Sequence, residues 1–514
     1  MNKLFVSLLI VLASVGVLAY SGRCHPSLLA QRQHLTPGTV DALDNSPPLV
    51  AFTTVALGGF RGLLADVLWL RAMRMQDEGN YFELVQLSDW ITKLEPKFAA
   101  VWAYHAWNMA YNVSVLFTEP EDKWRWVMHG IDLLRSDGLR FNPGEAALYW
   151  ELGWLYQHKI GQDLDQAHAY YKQQLAHSMS LYLPNGNADD LQHLISAAAN
   201  REDLEALPGM APWLQTQQEA GSDVWSPAFL EEVSRSPQRR EHLVASPQGT
   251  RLLHHLRRVG MLTTLKMDPD VMLRLDTDFG PLDWRLPQAH GVYWSQQGLR
   301  HAENAFDRLR MERMTFQSMV DAFLRGRAFY DLQGNLTPVP NLDLLPNLLR
   351  TFDRVAEAQP DNITVQTARR TFLRKAVLTL HSYNHIAQAG EIYDRMVALY
   401  PDEAHPAGLN TYLVTVWLAQ GDRLDPDQAM VLVESTLMEA YWSYALGDEE
   451  RSKGLTLQAE LVWQHFMKDL TGEGHAERVG LPPFPQLKQQ ALQRLISLQT
   501  DEMIRNRLQA MTES

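Results

Sequence analysis

The chain has 514 residues, with 46 Lys and Arg against 60 Asp and Glu, which gives a formal net charge of −14. Hydrophobic residues make up 46% of the sequence and charged residues 21%, a composition typical of folded globular proteins. These values exclude disordered, collagen-like and multi-spanning membrane proteins, and the acidic balance argues against a nucleic-acid partner. The single cysteine, Cys24, excludes internal disulfides and cysteine-based metal clusters.

Residues 1–21 are predicted to be a membrane anchor or a signal peptide. Lys3 precedes an apolar run from Leu4 to Tyr20, which lies at the short limit for spanning a bilayer. Small residues around Ser21 would also permit cleavage, so both outcomes stay open, and we favour the retained single-pass anchor. The order of charged, apolar and small residues predicts a bacterial inner-membrane protein whose body lies on the periplasmic side.

The rest of the chain divides by composition into five segments. Residues 22–48 are rich in proline and turn-forming residues and are predicted to be a linker. Helical periodicity dominates residues 49–183 and 291–480. The segment 184–290 between them is rich in proline, which predicts an insertion or hinge of short helices. Residues 481–514 begin with a proline-rich breaker and are predicted to form one capping helix over Gln486 to Met511.

Apolar positions spaced three and four apart predict helices through most of the chain. In the helix that starts near Phe60, these positions predict the core-facing side: Leu63, Leu64, Val67, Leu68 and Met75. Proline behind a capping residue marks further helix starts, for example at Asn142-Pro143 and Ser246-Pro247. No alternating pattern with a hairpin turn indicates a strand. The predicted fold class is therefore all-α.

Several fragments resemble the tetratricopeptide repeat (TPR), a pair of helices in which small and aromatic residues allow close packing. One fragment matches both helices of a pair: Tyr149, Leu152, Gly153, Tyr156, Ala167 and Tyr171. Two others share a single second-helix spacing: Leu348-x3-Phe352-x7-Pro360 and Ala389-x3-Tyr393-x7-Pro401. Trp102-x3-Ala106 resembles a first helix. The interval from Pro360 to Pro401 exceeds the roughly 34 residues of a TPR, which indicates divergent repeats.

The resemblance implies TPR-like helical-hairpin repeats, an α-solenoid that binds a protein partner on the concave side formed by the first helix of each pair. In this register one helix turns Trp150, Trp154 and His158 toward the groove, and the preceding unit turns Trp107 and Tyr111 the same way. Such rings offer large contact areas at low entropic cost to an apolar or extended partner. Packing of these tryptophans in the core is the alternative.

Motifs that carry chemistry are scarce in this sequence. There is no Gly-rich phosphate loop and no Gly-x-Ser-x-Gly nucleophile motif. His381 and His385 would place two imidazoles one turn apart on a helix, but no third ligand is evident nearby. The sequence therefore predicts no metal, no cofactor and no catalytic residue.

The predicted function is a membrane-anchored protein–protein interaction scaffold that holds a partner of a cell-envelope assembly in a helical groove. The alternative is an all-α enzyme of the α/α-toroid kind, in which tryptophans stack on sugars and two carboxylates cleave a glycan. A structural spacer without a specific groove is a third hypothesis.

Overall fold

The computed structural model describes residues 60–330, 334–358, 360–401, 405–418, 426–472, 481–499 and 501–512. The predicted anchor, residues 1–21, and the predicted linker, residues 22–48, lie outside these ranges. Within the described part, no helix is long and apolar enough to cross a membrane.

Three helices of the N-terminal part, the third, fourth and fifth, continue into π-helical turns, in which the backbone hydrogen bonds span five residues. In chain order the helices of this part are α1 Phe60–Asp77, α2 Tyr81–Leu94, α3 Ala99–Trp107 with π1 Asn108–Val113 and a 3₁₀ turn Ser114–Leu116, α4 Pro120–Asp132 with π2 Leu133–Gly138 and a last turn Leu139–Phe141, α5 Ala146–Trp154 with π3 Leu155–Ile160, and α6 His168–Ser180.

Shorter helices follow in the proline-rich segment: α7 Ala188–Ser196, α8 Arg201–Glu205, α9 Met210–Glu219, α10 Phe229–Arg235, α11 Pro237–Val244, α12 Pro247–Thr263 and α13 Pro269–Phe279. The C-terminal part contains α14 Pro287–Leu299, α15 Ala305–Arg325, β1 Arg327–Tyr330, β2 Leu336–Val339, a 3₁₀ turn Leu342–Leu344, α16 Leu345–Ala358, α17 Ile363–Ser382, α18 Ile386–Leu399, α19 Leu409–Leu418, α20 Pro426–Leu446, α21 Glu449–Gly472, α22 Phe484–Leu498 and α23 Glu502–Ala510.

The predicted all-α class is confirmed, since helices account for 76% of the structure. The prediction that no hairpin exists is wrong at one place, where β1 and β2 pair antiparallel with Arg327 opposite Val339. These strands have four residues each and Pro338 interrupts the second, so the sequence shows no alternation. A tertiary contact helps to hold them, because the amide of Ala328 donates to the Asp283 carboxylate at 2.9 Å.

Two of the predicted helix boundaries are wrong. Asn142 does not cap a helix, because α5 begins at Ala146 and the Asn142 side chain donates instead to the carbonyl of Pro96 at 2.8 Å. The predicted single C-terminal helix is two helices, and the Asp501 carboxylate caps the second by accepting from the amide of Met503 at 2.9 Å. The cap at Ser246 is confirmed, since its hydroxyl accepts from the Gly249 amide.

The helix predicted to start near Phe60 exists as α1, and its predicted core-facing side is right in part. Met75 is buried and Leu68 is partly buried, as predicted, whereas Leu63, Leu64 and Val67 are exposed. Ala65 and Ala72 are buried instead, against α2. Small residues form this contact because two alanines let the two helices approach closely.

Most of the chain shares one large hydrophobic core, which runs from Trp102 to Leu413. Helix α14 lies inside it and is buried on nearly every side, including Trp294 and His290. The predicted division between residues 290 and 291 falls within this helix. Separate smaller cores lie between Leu204 and Leu253 and between Ala429 and Leu508. The remaining domain boundaries stay predictions.

Most residues that carry the TPR resemblance are buried, on or next to α3, α5, α6, α16 and α18: Trp102, Ala106, Leu152, Tyr156, Ala167, Tyr171, Leu348, Phe352, Ala389 and Tyr393. Tyr149 is only partly buried. Small residues mark the closest approaches between helices. A Cβ atom built on Gly130 of α4 would lie 2.7 Å from the carbonyl oxygen of Ala106 on α3. Position 130 therefore has no room for a side chain in this packing.

The substitution Gly130→Ala is expected to lower the free energy of unfolding by about 1–3 kcal/mol, because the added methyl group meets backbone rather than a flexible side chain. Gly390→Ala in α18 is the matched control. A Cβ there meets no described atom within 4 Å, so alanine should stabilise the helix by about 0.5–1 kcal/mol. Thermal melts of the two variants should shift in opposite directions, and shifts of the same sign would contradict this packing.

Candidate partner-binding site

All five predicted groove residues lie on two neighbouring helices and are half-buried. Trp107 ends α3 and Tyr111 lies in π1, whereas the other three follow α5 into π3. We call the set the aromatic series: Trp107, Tyr111, Trp150, Trp154 and His158. Helix α3 packs against α5, and π1 packs against π3. The structure therefore brings the five side chains together, and partner binding by them stays a prediction.

Three rings of the series form a near-parallel stack along α5 and π3. The ring centroids of Trp150 and Trp154 are 5.3 Å apart with an interplanar angle of 14°. Trp154 stacks in turn on His158 at 4.2 Å and 12°. Residues four apart lie above one another on a helix, which accounts for the stack.

A second stack and a hydrogen bond complete the aromatic series. Trp107 stacks on Tyr111 with centroids 5.5 Å apart. The hydroxyl of Tyr111 lies 2.9 Å from Nδ1 of His158 and joins π1 to π3. Single π-helical turns inside helices occur often at functional sites, and here two of them supply the joined side chains.

The protonation states of this pair follow from its surroundings. Burial raises the pKa of Tyr111, and the nearby Glu151 carboxyl raises it further. Burial also lowers the pKa of His158, with a smaller contribution from the charge of Lys159. At neutral pH both groups are therefore uncharged, and one hydrogen bond links the Tyr111 hydroxyl to Nδ1 of His158.

Two cations lie over rings of the series. The guanidinium carbon of Arg310, on α15, lies 4.0 Å from the centroid of the Trp150 ring. The ammonium nitrogen of Lys159 lies 5.4 Å from the centroid of the Tyr111 ring. Cations attract the negative faces of aromatic rings, so both contacts help to fix the rings in place.

Lys159 is itself held by a buried ionic cluster. Its ammonium lies 2.7 Å from Asp165, and the ammonium of Lys123 lies 3.4 Å from the same carboxylate. The Tyr171 hydroxyl donates to Asp165 at 3.1 Å and the Ala167 amide at 3.0 Å. Burial alone would raise the pKa of Asp165, but these hydrogen bonds and the two ammonium charges outweigh it and lower that pKa to about 2.

Glu151 lies between Trp150 and Leu152 on α5 and is 8% exposed. Its Oε1 atom is buried and has no hydrogen-bond partner among the described residues. Burial raises the pKa of Glu151 to about 7, and the charge of Arg310 opposes the shift only in part. The site thus contains a carboxyl group that is partly neutral at physiological pH.

The two histidines considered as metal ligands do not share a helix face. Helix α17 ends at Ser382, and Asn384 adopts a left-handed conformation with φ of 63° before His385 begins the turn into α18. His381 is fully buried, and burial lowers its pKa to about 4. Over the described ranges, no group of three or more His, Cys, Asp or Glu side chains could hold a metal ion.

Sequence reasoning missed four residues of this site: Glu151, Lys159, Asp165 and Arg310. The contact of Arg310 with Trp150 could not be predicted from the sequence around α5, because Arg310 lies on a helix about 150 residues later in the chain. Asp165 carries a weak signal, since it lies two residues before the Ala167 of the TPR-like fragment.

No protein-family model matches the chain, and no curated protein matches it either. Its resemblance to the TPR pattern therefore depends on the quoted motifs alone.

Proposed function

We propose that this chain is a membrane-anchored protein–protein interaction scaffold whose TPR-like helical pairs hold a partner of a bacterial cell-envelope assembly. The partner would lie in a groove lined by the aromatic series and contact its exposed ring edges. The membrane anchor would be residues 1–21, with the body on the periplasmic side. This proposal assigns the chain no catalytic activity and no cofactor.

The observation that carries the proposal is the continuous contact from Trp107 through Tyr111, His158 and Trp154 to Trp150. All five side chains are half-buried, so each has a fixed inner part and an accessible edge. Rigid, partly exposed aromatic residues are the side chains that most often contribute large binding energies at protein interfaces.

Helix packing supports the repeat architecture within this proposal. Consecutive helices pack in pairs, α17 with α18 and α20 with α21, as the two helices of a TPR do. Pro360 and Pro401 follow the ends of α16 and α18, where a proline stops a repeat.

The arrangement of the rings argues against the glycan-active alternative. Sugars stack on open faces of tryptophan, but Trp154 lies between Trp150 and His158. Arg310 covers Trp150 at 4.0 Å. The faces of these two rings are engaged by the protein itself, which leaves their edges for a partner.

Site-specific photo-crosslinking in native membranes tests this function. We would place a photoreactive benzoyl-phenylalanine at position 107 or 150 of the full chain, and at position 442 as the control, because Trp442 is 37% exposed but lies on α20. We expect one discrete protein adduct at 107 and 150 and none at 442. Equal adducts at all three positions, or none at any, would contradict the proposal.

The change Trp154→Ala, introduced beside the crosslinker at position 107, should reduce this adduct about tenfold or more, because truncating a central interface tryptophan typically costs 2 kcal/mol or more. Circular dichroism must show that the variant keeps its helices. A folded variant with an undiminished adduct would show that Trp154 does not contribute to the partner surface.

A further inference from the structure

Three aromatic side chains outside the aromatic series meet where α2 and α4 begin. Phe82 lies in the first turn of α2, Phe117 directly follows the 3₁₀ turn after π1, and Trp126 lies in the second turn of α4. The ring centroid of Phe82 lies 6.2 Å from that of Phe117 and 6.0 Å from that of Trp126. The centroids of Phe117 and Trp126 are 6.1 Å apart. We call these three residues the end cluster.

The end cluster is exposed on the surface of the protein. Phe82 is 56% exposed, and Phe117 and Trp126 are half-buried. Val115 and Leu116, which immediately precede Phe117, are 52% and 51% exposed. Because the three rings contact one another, no charged side chain separates them. Contiguous apolar surface of this kind marks an interaction site.

The rings of the end cluster differ from those of the aromatic series in their contacts with cations. Arg310 and Lys159 lie over Trp150 and Tyr111 in the series. Over the end cluster, no Lys or Arg side chain of the described residues takes such a position. Cations are attracted to the faces of aromatic rings, most strongly to tryptophan. The end cluster can therefore receive a cationic side chain from a partner.

The charges next to the end cluster leave an excess of negative charge. Glu119 follows Phe117 by two residues, and Glu121 lies in the first turn of α4. Both are exposed, and neither has an ion-pair partner among the described residues. The other charged residues beside the cluster are paired within the chain: Asp122 with Arg125, and Glu83 with Arg71. Unbalanced carboxylates beside apolar rings complement a basic partner.

The charge of the chain also indicates which occupant fits this surface. A second copy would bring the same glutamates and a net charge of −14 against it, and an anionic bilayer would repel it in the same way. Rings and exposed carboxylates side by side suit a segment with both apolar and basic side chains. Lysine and arginine combine the two properties, because their long stems pack on apolar surface while the charged head stays outside.

We propose that the end cluster docks a basic amphipathic segment of a protein partner. Its apolar side chains contact Leu116 and the three rings, and its lysines or arginines pair with Glu119 and Glu121. This surface shares no residue with the aromatic series, so it adds a second binding surface to the proposed function and does not depend on it.

Photo-crosslinking to a defined peptide tests this surface. The probe is a short biotin-labelled peptide in which leucines and lysines form a basic amphipathic helix, added to the purified full chain. Benzoyl-phenylalanine replaces Leu116 at the end cluster or, as the control, Val431, which is 65% exposed but lies on α20. We expect a several-fold stronger biotin adduct at position 116 than at position 431. A peptide with glutamates in place of the lysines should give no adduct.

Charge reversal shows whether the carboxylates take part. Glu119→Lys with Glu121→Lys, introduced beside the crosslinker at position 116, should weaken the adduct about tenfold, because the lysines of the peptide then meet like charges. The matched control reverses Glu449 and Glu450, which are exposed and lie in the first turn of α21. It changes the net charge equally and should leave the adduct unchanged. Equal losses in both variants would show that net charge alone attracts the peptide, which overturns the inference.

A milder pair of substitutions, Glu119→Gln with Glu121→Gln, covers the case that charge reversal disturbs the fold. It removes the two charges without adding repulsion, so it should weaken the adduct in the same direction. Circular dichroism must show that the helices are kept. An undiminished adduct in a folded glutamine variant would contradict the role of the carboxylates.

Other outcomes would overturn the inference in ways that can be told apart. Equal peptide adducts at positions 116 and 431 would mean that the end cluster is not a specific site. A peptide adduct at position 107 or 150 but not at 116 would place the peptide on the aromatic series and leave the proposed function intact. A covalent dimer formed through position 116 would show that a second copy covers the cluster.

Discussion

The substitution Asp165→Asn is expected to lower the free energy of unfolding by about 3–5 kcal/mol, because it leaves two buried ammonium groups without their counter-charge. Asp165 is 5% exposed, and the side chains of Lys159 and Lys123 are 5% and 11% exposed. Asparagine keeps the size of the side chain and its hydrogen-bonding oxygen, so the variant isolates the charge.

An exposed ion pair provides the control for this substitution. Asp89 contacts Lys93 at 2.7 Å, the same distance as that between Asp165 and Lys159, but its side chain is 41% exposed and that of Lys93 is 49% exposed. Asp89→Asn should therefore cost about 0.5 kcal/mol or less. Thermal and urea denaturation of both variants gives the comparison, and similar losses would show that burial does not strengthen the Asp165 cluster.

The same cluster makes the parent chain sensitive to acid. The pKa of Asp165 is about 2 in the folded chain, below its ordinary value of 3.8. The stabilisation it gives is present above pH 3.8 and is lost as the pH falls toward 2. Asp165→Asn removes this contribution. The difference in the free energy of unfolding between parent and variant should therefore become smaller as the pH falls from 3.8 toward 2.

The sequence predicted the buried positions of this fold better than its boundaries. Four motif residues are buried as their roles in the motif require: Gly153, Tyr156, Ala389 and Tyr393. They could be predicted because small and aromatic residues at helical spacing form a pattern within a short stretch of sequence. The break before Asp501 was missed. An apolar period that continues across a short turn looks like one helix.

The direction in which α1 faces could not be predicted from its periodicity. Leucine and valine at 63 and 67 give the stronger apolar signal, yet the alanines at 65 and 72 form the contact with α2. Which face is buried depends on the shape of the neighbouring helix, and that information lies outside the segment.

The aromatic series was predictable in part because helical spacing is local. Trp150, Trp154 and His158 follow one another at intervals of four, and that interval alone predicts the stack. Its contacts with Arg310 and the link to Tyr111 depend on how α3, α5 and α15 pack, which no local pattern records.

The substitution Glu151→Gln is expected to raise the free energy of unfolding at pH 8 by up to about 3 kcal/mol more than it does at pH 4. Burial raises the pKa of Glu151 from 4.5 to about 7, so between these values the folded chain holds a proton that the unfolded chain has lost. The stability of the parent therefore falls as the pH rises through this range. Glutamine keeps the shape of the protonated acid and cannot ionise, so the variant does not lose this stability as the pH rises.

Melting temperatures of parent and variant at pH 4 and pH 8 measure the effect, with Glu312→Gln on the exposed side of α15 as the control. The advantage of Glu151→Gln should appear only at the higher pH, and Glu312→Gln should show no such difference. An equal shift at both values would mean that Glu151 ionises as freely in the folded chain as in the unfolded one. A higher melting temperature of Glu151→Gln at pH 8 alone would establish that a buried carboxyl group near Tyr111 keeps its proton at neutral pH. If the proposed partner changes the burial of Glu151 when it binds the aromatic series, its affinity would then depend on pH.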